Sequence, residues 1–313
     1  MVDGLGEAEL DRRIRTKTLT DLKGIGPKTA TAIVQAHEGR VPEYLTTLEE
    51  AYAAELPAAG DVAAFRAALR GDLHAHSDWS DGGSPIREMA EAAMALGHEY
   101  LALTDHSPRL TVANGLTPER LERQLDVVAE LNAELAPFRI LTGIECDINV
   151  DGSLDQTDEL LGRLDVVVAS VHSDLRADRR AMTDRMLAAV AHPHTDVLGH
   201  CTGRLVIGRK QRNGTQRPRP ESDFDAEAVF SACVEHGTAV EINSRPERLD
   251  PPRRLLALAV ELGCEFAIDT DAHAPGQLDW QYNGCERAIE CGVPAQRVIN
   301  TRPADELLAW TSS

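Results

Sequence analysis

Lysine is almost missing from this chain. Lys17, Lys23, Lys28 and Lys210 are all it has in 313 residues, so arginine carries nearly all the positive charge. Positive charge is itself short, with 32 basic residues against 51 acidic ones and a formal net charge of −19. That balance excludes a general nucleic-acid or membrane coat, because both of those surfaces are anionic. A local phosphate site remains open, since bound cations invert the potential around them. Arginine usage of this kind suits high-GC coding or a saline cytoplasm more than it suggests a mechanism.

Other features are missing too. Cys146, Cys201, Cys233, Cys264, Cys285 and Cys291 form no C-x-x-C pair and no regular spacing. This argues for reduced, mostly buried thiols and against a disulfide frame or a thiolate metal site. The start, Met1-Val2-Asp3-Gly4, has neither a basic n-region nor an apolar h-region. No run approaches the ~18 consecutive apolar residues of a membrane span. The expected location is cytoplasmic, with no membrane partner.

What is present is a set of imidazoles and carboxylates at the ends of short apolar runs. His74 and His76 form a His-x-His pair; Asp81, His106, Glu145, His172, His200, Asp271 and His273 follow. Imidazole and carboxylate are the donors that hold catalytic divalent metals. Nine donors, at three per ion with positions left for water and substrate, support three metals, or two with spare outer groups. A nitrogen and oxygen set without thiolate fits Zn²⁺, Mn²⁺ or Fe²⁺ better than Ca²⁺. Glu145 would have to bridge neighbouring ions. Asp269 lies two before Asp271 on the same strand face and is expected to orient a histidine ligand. Clustered ions acidify water, align it and neutralise attacking and leaving oxygens, which is what phosphoester hydrolysis needs.

The chain is long enough, at 42% hydrophobic content, for one large core plus a small module. Residues 1–70 read as that module, with helices at Glu7–Arg15, Ala30–Ala36, Leu45–Leu56 and Asp61–Arg70. Between the first two, Gly24 and Gly26 permit a tight turn, Pro27 is placed like a first-turn helix proline, and Lys28 stands beside amides that can face a phosphate. An ordinary turn is the competing reading. From Gly71 onward, strand-like runs alternate with helical stretches: Leu73, Tyr100–Leu103, Phe138–Ile144, Val166–Val171, Val197–Leu198, Ala239–Ile242, Glu265–Ile268 and Arg297–Ile299. Alternation of this length predicts parallel strands with crossover helices, closing into a barrel over residues 71–313. Active sites of such barrels lie at the carboxyl ends of the strands, where the donors fall. A loop at Gly203–Ser222 is rich in arginine and follows His200.

The segment Asp72-Leu73-His74-Ala75-His76-Ser77-Asp78-Trp79-Ser80-Asp81-Gly82 resembles the opening motif of PHP (polymerase and histidinol phosphatase) domains. Thr104-Asp105-His106, Gly143-Ile144-Glu145, Ser170-Val171-His172, Gly199-His200 and Thr270-Asp271-Ala272-His273 resemble the later motifs in order. The likeness runs from Gly71 to about Trp310. It is greatest to the PHP domain at the carboxyl end of bacterial family-X DNA polymerases, whose helix-hairpin-helix the amino-terminal module also resembles. The resemblance implies an α/β fold, a distorted TIM-like (β/α)7 barrel after a small all-α module, with a trinuclear Mn²⁺ or Zn²⁺ site of phosphoesterase chemistry. The expected activity is a DNA 3′–5′ exonuclease or 3′-end processing enzyme; the alternatives are a small-molecule phosphatase acting on histidinol phosphate or a nucleotide, and a non-catalytic DNA-binding adaptor. Arg204, Arg245 and Arg109 are candidate phosphate clamps, because guanidinium matches phosphate oxygens in pairs. Gly24, Gly26 and Lys28 are candidate contacts for weak, sequence-independent DNA binding. Residues 1–70 have no room for a nucleotidyltransferase palm, so no polymerase activity is expected. Cys201 stands where polymerase-type domains usually carry proline, a departure that bears on the loop of Arg204.

Overall fold

A computed structural model describes residues 7–22, 25–39, 59–208 and 217–312. The chain forms two compact units, Met1–Leu56 and Pro57–Ser313. In the first, α1 (Glu7–Thr16) and α2 (Pro27–His37) are described, with Gly26 as the N-cap and Pro27 at the first helical position. Proline suits that position because its missing N–H would have no helical partner. The expected Gly24 turn position and the 45–56 helix lie outside the described residues, as does the Lys28 side chain.

The second unit opens with α3 (Ala59–Ala68) and then alternates strand and helix. The elements run β1 (Gly71–Ala75), α4 (Ile86–Ala95), β2 (Tyr100–Leu103), α5 (Pro118–Leu135), β3 (Arg139–Asp147), α6 (Asp158–Leu161), β4 (Val166–Ser170) and α7 (Arg179–Val190). They continue with β5 (Val197–Leu198), α8 (Ala226–His236), β6 (Ala239–Asn243), α9 (Arg253–Leu262), β7 (Phe266–Asp269), α10 (Gln281–Glu290) and α11 (Ala304–Thr311). Caps explain several helix starts. The side chains of Thr117, Asp178 and Asp225 accept backbone N–H groups of the first turns of α5, α7 and α8, satisfying donors that have no partner inside the helix.

The seven strands pair in parallel in the order β1 to β7. An Ala75–Ala272 bridge, with His76 N–H donating to the Ala272 carbonyl at 2.8 Å, links β1 to the segment after β7. The result is a (β/α)7 barrel. Its interior floor takes residues from every strand, among them Leu73, Tyr100, Leu141, Val166, Val197, Ala239 and Ala267, and it is plugged by Ile299 and Leu307. Strand alternation then places Glu145 and Glu241 on the inward face above that floor, and Ile144, Cys146, Val240 and Ile242 outward in the core under the helices.

Two expectations are corrected. The predicted strand at Arg297–Ile299 is instead two short 3-10 turns, Ala295–Arg297 and Ile299–Thr301, with one isolated bridge from Val298 to Phe266. Pro294 and Pro303 bracket the segment, and the Asn300 side chain uses its hydrogen bonds on Gly71 and Ile268 carbonyls. The helix at 59–68, assigned from sequence to the amino-terminal module, belongs to the barrel unit: Arg66 Nη2 lies 2.7 Å from His98 Nε2, and α3 packs beside α10.

Candidate metal centre

Eight of the nine donors are delivered by strand ends, and Asp81 by the turn that follows β1. His74 lies in β1 and His76 just past it; Glu145 lies in β3; His106, His172, His200, Asp271 and His273 follow β2, β4, β5 and β7. Gly199 shows why β5 can bring its donor close. A Cβ there would sit 2.3 Å from Ser170 Oγ and 2.8 Å from Val168 Cγ1, so only glycine lets β5 approach β4. His200 and His172 then stand with ring centroids 5.2 Å apart.

Glu145 is the hub. Its Oε2 faces His74 Nε2 at 3.3 Å, His76 Nε2 at 3.6 Å and His106 Nδ1 at 2.8 Å. Its Oε1 faces His172 Nε2 at 3.2 Å and His200 Nε2 at 2.8 Å. Asp81, at the exposed edge, lies 3.4 Å from His106 Nε2 and 3.3 Å from His273 Nε2. Asp271 Oδ1 lies 3.5 Å from His76 Nε2, and Asp271 adopts φ +53°, a region that non-glycine residues seldom occupy.

Three groups have donor atoms within 4.8 Å of one another: His76, Asp81, His106 and His273; His74, His76 and Asp271; His106, Glu145 and His172. All nine expected donors therefore converge on one mouth, with His200 joined through Glu145. The fit to cations can be tested on the unpaired atoms. Nε2 of His74, His76 and His172, together with Glu145 Oε2, are buried without a hydrogen-bond partner. An orphaned buried polar atom costs about 1–3 kcal/mol, and four facing one another are what a cation would satisfy. The cluster is suited to holding several metal ions.

The charges agree. Burial alone would raise the Glu145 carboxyl, but the His172, His74 and His106 imidazoles overcome it and hold it well below the usual range. Burial likewise opposes ionisation of Asp271, and Arg248 and His76 outweigh it. His76 is pushed well below the usual imidazole value by burial and by the nearby His273 and His106. His76 is thus held neutral, whereas burial is outweighed by the Glu145 charge at His74, His106 and His172, which are raised and would release protons on taking up a cation.

Residues that the sequence did not flag complete the site. Glu241 Oε1 accepts from His74 Nδ1 at 2.5 Å, and its Oε2 accepts from His200 N–H. Asp147 accepts from His172 Nδ1. A carboxylate can only accept, so each leaves its imidazole's Nε2 lone pair free towards Glu145. The signal was available: Glu241 and Asp147 occupy inward strand positions, two residues from Asn243 and Glu145 respectively. Arg248 is the third. Its Nε donates to Asp271 Oδ2 at 2.9 Å, while its Nη1 is buried without a partner.

Asp269 does not orient a histidine. Its Oδ1 accepts from Leu73 N–H at 2.9 Å and from Asn300, and its Oδ2 is unpaired. Burial, the Asp72 charge and the Glu241 charge push its carboxyl well up. Arg245 is at the site, with Nη1 donating to the Asp271 carbonyl at 3.2 Å and lying 3.1 Å from His273 Nδ1. Arg204 instead donates to the carbonyls of Arg248, at 3.1 Å from Nε, and of Leu249. Arg109 donates to Asn149 Oδ1 at 3.0 Å. Cys146 packs in the core, and the Cys201 thiol donates to Asp250. In the amino-terminal unit Gly26 is exposed, with open space where a side chain would stand, and Gly24 lies outside the described residues. Among the described residues no helix is long and apolar enough to cross a membrane.

Comparison with known proteins agrees with the geometry. The PHP domain family matches residues 72–245. The DNA polymerase/3′-5′ exonuclease PolX of Bacillus subtilis is 40% identical over 242 residues, which is 77% of this chain but 41% of that protein's length. A probable phosphatase of Edwardsiella ictaluri is 28% identical over 243 residues, covering 74% of this chain and 90% of its own. A histidinol phosphate phosphatase of Lactococcus lactis superposes with a TM-score of 0.49 at 19% identity, over 70% of this chain and 94% of that one. The match to more than half of the chain, together with the 40% identical relative, shows that the chain belongs to the PHP domain family of metal-dependent phosphoesterases.

Proposed function

We propose that this chain holds three divalent ions, Mn²⁺ or Zn²⁺, at the barrel mouth and hydrolyses phosphoesters at the 3′ end of DNA. The observation that carries the trinuclear reading is the division of Glu145: one oxygen faces three imidazoles and the other faces two. A carboxylate set this way suits a bridge. His74, His76 and Asp271 would hold one ion, Asp81, His106 and His273 a second, and His172 and His200 a third, with the Glu145 carboxylate shared between ions.

Bound ions of this kind supply an acidified water nucleophile and neutralise phosphate charge. The chain's own groups do the rest. Glu241 and Asp147 fix the ring orientation of His74 and His172. Arg248 and Arg245 bring guanidinium donors to the Asp271 side, where a phosphate oxygen would be met in pairs. The apolar floor of Leu141, Val166 and Val197 keeps the base of the site dry, which strengthens every charge interaction above it.

DNA is favoured by the 40% identical relative named as an exonuclease, although this chain spans less than half of that protein. The open approach to Gly26 at the start of α2 is compatible with a backbone phosphate contact. A small phosphoester is the second reading, favoured by the probable phosphatase that matches over 90% of its length. Incubation with 5′-labelled single-stranded DNA and Mn²⁺, and separately with histidinol phosphate, distinguishes them. A ladder of shortened DNA is expected. Phosphate release from the small ester with intact DNA would replace the first reading with the second.

A further inference from the structure

We infer that a chain of arginine straps, each tying the exit loop of one strand to that of the next, sets the spacing of the donors, and that Arg120 and Arg185 are positioning residues of the metal centre. This rests on the metal reading above. Around the mouth the pattern is nearly unbroken. Arg120 joins the loops after β1 and β2, Arg109 those after β2 and β3, and Arg185 those after β3 and β4. Arg176 reaches from the loop after β4 to a carbonyl on the loop after β5; Arg204 joins β5 to β6, and Arg245 joins β6 to β7. Between β7 and β1 the backbone does the same work, through Gly83 N–H on the His273 carbonyl at 2.7 Å.

Arg120 and Arg185 make the most hydrogen bonds to loop carbonyls. From the first turn of α5, Arg120 donates through Nη1 to the carbonyls of Asn114 at 2.6 Å and Gly115 at 3.1 Å, and through Nη2 to Trp79. Trp79 stands two residues before Asp81, so this strap holds Asp81 over the loop that carries His106. From α7, buried Arg185 donates through Nε to the Ile148 carbonyl at 3.1 Å and through Nη1 to the Ser173 carbonyl at 2.8 Å. Its Nη2 adds the Ile148 carbonyl and Ser173 Oγ. Ile148 and Ser173 each follow a residue of the site, Asp147 and His172, which pair with one another. The near absence of lysine acquires a physical sense here. A guanidinium presents five donors in a rigid fork that spans two carbonyls on different loops, whereas an ammonium is a point charge on a flexible stem. Loops carry no ladder of their own, so their carbonyls need such partners.

The test is Mn²⁺ titration of chelator-stripped, full-length protein, read by electron paramagnetic resonance of free Mn²⁺, on wild type, Arg120→Lys, Arg185→Lys and Arg297→Lys. The last is a control: Arg297 donates to the Val260 carbonyl at the end of α9, away from the donors. Loss of an outer-shell partner lowers metal affinity about 10–100-fold. A fall of about tenfold or more is expected for both strap variants, with the control unchanged. In an Asp81→Asn background, Arg120→Lys is expected to add little and Arg185→Lys to retain its full effect, because the two straps serve different ions. Wild-type Mn²⁺ affinity in both strap variants overturns the inference, as does a loss matched by the control. Arg120 is only half-buried, so its variant decides the matter alone if Arg185→Lys does not fold. Wild-type protein that takes up no Mn²⁺ would refute the metal reading itself, a distinct result.

Discussion

Glu241 Oε1 and His74 Nδ1 lie 2.5 Å apart, joined across 167 residues of sequence. The same carboxylate reaches the backbone N–H of His200 with its other oxygen. One side chain on β6 thus fixes a candidate donor on β1 and the segment that carries another after β5. Both oxygens are engaged in these bonds, which places Glu241 to hold the donors.

Replacing Glu241 or Asp147 should therefore weaken metal binding without removing a ligand. Glu241→Gln and Asp147→Asn are each expected to lower Mn²⁺ affinity about 10–100-fold, measured by the same titration. Unchanged affinity in both would show that the imidazoles need no carboxylate to orient them.

Metal should contribute to stability as well as chemistry. Fresh protein is expected to contain at least two ions per chain by elemental analysis. Ligand at about 100 times its dissociation constant adds ~2.7 kcal/mol per site, so a chelator should lower the thermal midpoint by several degrees and Mn²⁺ should restore it. A midpoint indifferent to chelation would argue that the buried donors are satisfied without cations.

Arg248 carries an unpaired buried donor beside Asp271. A hydrogen bond to a charged group contributes about 1.5–3 kcal/mol. Arg248→Met is accordingly expected to lower kcat/KM for a phosphoester by roughly 10–100-fold, and to weaken competitive inhibition by inorganic phosphate about as much. Loss of turnover with phosphate inhibition intact would place Arg248 outside the anion site.

Far from the mouth, Asp196 precedes β5 and accepts Val167 N–H at 2.7 Å. Burial, with the Asp165 charge nearby, raises its carboxyl to about 7. A folded value above the unfolded one near 4 means that its contribution is fully present below pH 4 and is lost as pH rises through 7. Asp196→Asn keeps the acceptor and removes the charge. The variant is expected to melt higher than wild type at pH 8, by an amount following about 2–4 °C per kcal/mol, and equally at pH 4. Identical midpoints at both values would contradict the shift.

The helices from Ile86 to Leu262 were legible because apolar spacing, caps such as Asp178 and Asp225, and following glycines mark them locally. The donors were legible because each is an imidazole or carboxylate at the end of an apolar run. Arg297–Ile299 was misread, since a short apolar run does not reveal that Asn300 turns its side chain onto neighbouring carbonyls. Asp269 and Glu241 exchange the roles that spacing suggests. Both face inward, but only Glu241 stands within reach of an imidazole.

The sequence by itself determined the alternation of strand and helix, the polarity of the mouth and the chemical type of every donor, because those are carried by residue identity and by periods of two and 3.6. Tertiary structure alone decided which donors lie close enough to share a cation, that Glu145 faces five imidazoles with two oxygens, and which arginines reach loop carbonyls. Those facts depend on the register of seven strands and on side-chain reach between loops far apart in the chain. A guanidinium spanning two carbonyls leaves no mark on the local pattern that encodes it.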